Sequence, residues 1–139
     1  MENGLERFLT AQKDCYEDAL EEIRAGRKRS HWMWFIFPQI AGLGFSGTAR
    51  YYAIRDMEEA RAYLRHPILR ARLVEISEAL LPLESCDARA VMGWPDDLKL
   101  RSSMTLFALA DPGCEVFSNV LQKFFDGKMD EKTLELVNA

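Results

Sequence analysis

Leu69, Leu73, Ile76 and Leu80 recur at steps of four, three and four residues between two prolines, Pro67 and Pro82. At 3.6 residues per turn these positions share one face of a helix, so the run can bury a continuous apolar stripe. Pro67 suits a first helical position, where its missing N–H has no partner to lose, and Pro82 cannot continue the run. His66, directly before Pro67, is pushed out of the helical region by the ring and reads as a helix-terminal residue with no chemistry.

The same period governs nearly all of the chain. Leu5, Phe8 and Leu9 follow Asn3 and Glu6, which have the spacing of a capping box. Asp14 and Glu17 repeat that start ahead of Tyr16, Ala19, Leu20 and Ile23, and Gly26 suits the left-handed exit. Asp56 and Glu59 open a stripe of Met57, Ala60 and Leu64. Residues 87–93 make one helical turn. Pro95, Asp96 and Asp97 then open a longer helix carrying Leu100, Met104 and Phe107, which Pro112 and Gly113 break. Phe117, Val120, Leu121 and Phe124 form the next stripe, closed by Gly127, and Leu134 and Val137 follow Asp130. Residues 32–37 are six consecutive apolar side chains, which no period can classify. Their one strand partner would be residues 51–54, and an isolated strand pair is barely stable. A buried short helix ending before Pro38 is the better expectation. The chain therefore reads as all-α, a single compact domain over residues 1–139 with seven to eight short-to-medium helices.

A length of 139 residues with 48% hydrophobic side chains supports one core without staples. The net charge of −4 opposes binding to duplex nucleic acid or anionic membranes, so neither is expected as a partner. Cys15, Cys86 and Cys114 are odd in number and far apart, and with only His31 and His66 beside them they make a poor zinc set. Free buried thiols, no metal, no cofactor and a cytoplasmic location are expected. The start lacks a basic, apolar leader, and no apolar run is long enough to span a bilayer. The Met- and Phe-rich helices allow a monomer or a weak homodimer.

Charge is unevenly placed. Arg24, Arg27, Lys28 and Arg29 lie within six residues, directly before the aromatic block. An arginine fork matches phosphate or carboxylate, a lysine adds a point charge, and indoles can stack a ring. Residues 27–34 are thus the candidate site for a small anionic ligand, phosphate- or nucleotide-like, through Arg27, Lys28, Arg29, His31 and Trp34. The same residues also read as a solvated helix exit leading into core packing. Gly42, Gly44 and Gly47 match G-x-G-x-x-G without the preceding strand of a dinucleotide site, and can act as a flexible loop or as a cradle over this segment.

In DDLKLRSSMT, Asp97, Arg101 and Thr105 follow one line at four-residue spacing, which predicts a surface ion pair. Lys99, Ser102 and Ser103 can form the other wall of a polar pocket, or the hydroxyls can hold neighbouring loops. Two other classes stay open. One is a protein-interaction module that uses the basic cluster without a pocket. The other is a hydrolase or transferase in which His31 moves a proton and needs a carboxylate or hydroxyl beside it.

Three phrases, AGRKRSHWMWFIFPQIAGLG (25–44), YYAIRDMEEARAYLRHPIL (51–69) and DDLKLRSSMTLF (96–107), resemble the bacterial family catalogued as domain of unknown function eighteen-ten. The resemblance spans nearly the whole chain and implies a small all-helical fold. It brings no catalytic residues with it. Members are frequently labelled calpastatin, but inhibitory calpastatin segments are disordered and wrap a protease, whereas regular apolar stripes here describe a packed globule. Protease inhibition is not the expected function. Arg70 departs from the family, which is expected to favour glycine there for tight helix packing.

Overall fold

Asp56, His66, Asp87 and Asp130 each sit in extended backbone just before a helix and accept hydrogen bonds from its first N–H groups. In the computed structural model, which describes residues 4–138, these caps help delimit ten helices. They are α1 (Glu6–Lys13), α2 (Tyr16–Arg24), α3 (Met33–Ile36), α4 (Gly47–Tyr51), α5 (Met57–Arg65), α6 (Pro67–Leu80), α7 (Ala88–Met92), α8 (Asp96–Ala110), α9 (Glu115–Phe125) and α10 (Glu131–Val137). The all-α expectation holds. The count exceeds seven to eight because α3, α4 and α7 are helices of four or five residues.

His66 has a structural use, its Nδ1 accepting from the N–H groups of Ile68 and Leu69 at 3.3 and 3.4 Å. Asp56 Oδ1 accepts from Glu59 N at 2.9 Å, as the spacing predicts. Asp14 does not open α2. It is the C-cap of α1, and Cys15 precedes α2 without a side-chain cap. The Asn3 cap lies outside the described residues. Gly26 leaves α2 at φ +84°, a conformation that disfavours a Cβ. Cys15 and Cys114 are half-buried free thiols, whereas Cys86 is exposed rather than buried.

Aromatic side chains link the elements. Phe8 meets Tyr63 edge-on at 5.2 Å, Tyr63 meets Phe107 at 5.3 Å, and Phe107 meets Phe117 at 5.9 Å. This series ties α1, α5, α8 and α9 through side chains with no solvent exposure. Each such pair contributes about 0.5–1.5 kcal/mol beyond the burial of its area. The central helix is α8, packed against α5, α7, α9 and α10. The Arg70 guanidinium reaches Asp111 at 3.0 Å, just beyond the end of α8.

Residues 32–37 form the expected buried turn of helix ahead of Pro38. Trp32, Met33, Ile36 and Phe37 enter the core, while Trp34 and Phe35, on the opposite side of a single turn, stay half-buried. The strand alternative for residues 32–37 is not adopted; the bridge that does involve Ile54 is made by Ile40, beyond Pro38. Among the described residues no helix is long and apolar enough to cross a membrane.

Candidate functional site

The basic stretch is held by one carboxylate. Glu22, in the last turns of α2, accepts from Arg29 N at 2.7 Å, Ser30 N at 2.9 Å, Ser30 Oγ at 2.7 Å and Trp32 Nε1 at 3.0 Å. Burial works against its ionised form, but these hydrogen bonds outweigh it and lower its pKa to about 2. A depressed carboxylate stabilises the fold above its unfolded pKa and loses that contribution as pH falls towards the folded value. Glu22→Gln should therefore cost about 1 kcal/mol at neutral pH, a figure reduced for solvent screening at this partly exposed site. Urea titrations from about pH 5 down to about pH 2 should show a shallower loss of stability in the variant than in the parent.

Beyond this tether, Lys28 N donates to Val91 O at 2.8 Å, which turns the side chain towards the start of α8. Lys28 Nζ lies 2.7 Å from Asp96 Oδ2, and Lys99 Nζ lies 3.1 Å from Asp96 Oδ1. Burial opposes ionisation of Asp96, yet the hydrogen bonds from Lys28 and Lys99 hold its pKa below the ordinary value. Each ammonium also faces an indole. Lys28 Nζ is 4.9 Å from the Trp32 ring centre and Lys99 Nζ is 4.7 Å from that of Trp34.

Two clefts meet here. One, of about 150 Å³, is bordered by Lys28, His31, Trp34, Thr48, Asp96 and Lys99. The other, of about 370 Å³, shares Trp34 and Lys99 and continues past Gln39, Leu43, Leu98 and Asp130. The glycine loop acts on this wall through Gly44, where a Cβ would stand 2.7 Å from Trp34 Cη2 and 2.6 Å from Ala49 Cβ.

The sequence candidates separate accordingly. Lys28, His31, Trp34 and Lys99 come together at the first cleft. Arg27 and Arg29 are exposed, and Arg29 borders a groove shared with Asp18, Glu21 and Glu22, surroundings that disfavour an anion. Ser102 borders the second cleft, buried, and its one hydroxyl proton faces two acceptors, Leu98 O at 3.1 Å and Asp130 Oδ2 at 3.2 Å. Thr105 Oγ1 accepts from Asp130 N at 2.9 Å, so these hydroxyls fix the start of α10. The ion pair expected of Asp97 and Arg101 is replaced by other contacts. Arg101 donates to Lys128 O and Met129 O at 2.9 and 3.0 Å, because the α9–α10 connection passes within its reach.

Asp96, Thr48 and Gln39 are site residues that the sequence reading missed. The i, i+3 spacing of Asp96 and Lys99 was a signal for the first. Gln39 arrives from the loop after α3 and Thr48 from the first turn of α4, positions that no local pattern specifies.

Among curated proteins none matches the chain. The fold is similar to the crystal structure of the conserved hypothetical protein Rv1873 from Mycobacterium tuberculosis, with a TM-score of 0.95 and 46% sequence identity. That likeness covers 97% of this chain and 96% of the mycobacterial one. The family model described as protein of unknown function (DUF1810) matches residues 2–137, and the chain belongs to that family.

Proposed function

We propose that the protein binds a small anion, a phosphate or carboxylate group, in the cleft where Lys28, His31 and Lys99 meet beside Trp34. The observation that carries this reading is the convergence of two ammonium groups from distant segments on the single carboxylate of Asp96. One positive charge is left over. Donors are left over too, since an ammonium has three N–H bonds. Lys28 uses its donors on Asp96 and Ser30 O, and Lys99 uses one on Asp96. Thr48 and His31 add polar atoms at the rim. A volume of about 150 Å³ suits one anionic group, below the ~300–1,000 Å³ of sites that enclose a whole small molecule.

Arg27 and Arg29 are left out of this reading, which is narrower than the sequence expectation. Proton transfer by His31 has less support. The ring is exposed, and no hydrogen bond joins it to another side chain among the described residues, so nothing orients it as a base.

Calorimetric titration with inorganic phosphate tests the proposal. Lys99→Met should weaken binding about tenfold or more, equivalent to about 1.4 kcal/mol, while Arg27→Ala leaves it unchanged. Affinity that is the same in the parent, Lys99→Met and Lys28→Met proteins would remove both lysines from the site.

A further inference from the structure

Resting on the anion reading above, we propose that the second cleft takes a ring of the same ligand, and that this ring carries a carbonyl oxygen that accepts a hydrogen bond from Gln39. Gln39 is only 2% exposed, borders the cleft, and has a buried amide nitrogen without a partner among the described residues. Buried donors are almost always satisfied, so an unpaired one at a cleft wall points to a missing acceptor. The backbone cannot easily withdraw it, because Gln39 O accepts from Ile54 N at 2.8 Å in the Ile40–Ile54 bridge.

Of the other polar groups of the cleft, Ser102 and Asp130 are engaged: the Ser102 hydroxyl faces Leu98 O and Asp130 Oδ2, and Asp130 Oδ2 also accepts from Thr133 N and Thr133 Oγ1, whereas Lys99 keeps spare donors and Lys132 is exposed. Trp34, Leu43, Pro95 and Leu98 supply apolar walls, with Leu98 51% exposed. Phe45 and Trp94, exposed at 78% and 65%, adjoin the wall residues Gly44 and Pro95 in the chain. An apolar cleft of about 370 Å³ with one unpaired amide donor suits a planar heterocycle presenting a carbonyl. Because Trp34 and Lys99 belong to both clefts, a phosphate on that molecule reaches Lys28 and Lys99. The ligand class is a nucleoside monophosphate with a carbonyl-bearing base.

The test compares ribose 5-phosphate with uridine 5′-monophosphate by calorimetry on the full chain. The nucleotide should bind about tenfold or more tightly, and Gln39→Met should abolish that advantage while leaving ribose 5-phosphate affinity unchanged. In the parent protein, which needs no variant to fold, the Gln39 side-chain NH₂ resonances should move with the nucleotide and not with ribose 5-phosphate. Equal affinity for the two probes, or resonances that the nucleotide leaves in place, would overturn the ring site and leave the anion site standing, with an ordered water then satisfying Gln39. Absence of binding by either phosphate would overturn both.

Discussion

Glu59→Ala is expected to lower the unfolding free energy by about 3–5 kcal/mol, the usual cost of removing one partner of a buried ion pair. Glu59 is 3% exposed and lies 3.2 Å from Arg7, whose side chain is 14% exposed. The pair connects the first helix to α5, and Arg7 also donates to Ala53 O at 2.7 Å and to Gly4 O. Truncation strands the guanidinium and removes the acceptor of Arg55 N, held at 2.8 Å. Urea unfolding should show the midpoint shift. Arg7→Met combined with Glu59→Ala should cost less than the sum of the single changes, since the second removes a charge already left unpaired. Strict additivity would mean that the two side chains do not act as a pair.

Gly44→Ala is expected to cost about 1–3 kcal/mol by overpacking and to weaken phosphate binding with it. The new Cβ would lie at 2.6 Å from Ala49 Cβ and 2.7 Å from Trp34 Cη2, and neither can yield cheaply. Ala49 is buried in α4, and the Trp34 ring is faced by Lys99. Gly47→Ala is the control. Among the described residues nothing lies within 4 Å of a Cβ there, and the residue starts α4, so the change should be neutral or stabilising by up to about 1 kcal/mol. Thermal unfolding of both variants separates steric fit from loop flexibility. If Gly44→Ala were as harmless as Gly47→Ala, the glycine would not be shaping the Trp34 wall.

How far the site was legible depended on the range of the forces involved. Lys28, His31 and Trp34 are close in sequence, and charge beside aromatic residues marked them without any knowledge of the fold. Arg27 and Arg29 carried the same mark yet face solvent, because the one-dimensional pattern does not say which way a loop side chain turns after the Gly26 exit. Lys28 differs from its neighbours through contacts with Val91 and Asp96, more than sixty positions away.

The chain by itself determined the all-helical class and most helix boundaries, since these follow from 3.6-residue apolar spacing, prolines and carboxylate caps that act within a few residues. Tertiary structure alone decided that Lys28 joins Lys99 at Asp96, that Gly44 abuts Trp34, and that the Gln39 side-chain nitrogen has no partner among the described residues. The physical reason is that hydrogen bonding and close packing act over a few ångströms of space, whereas the distances along the chain that separate these groups leave no local trace.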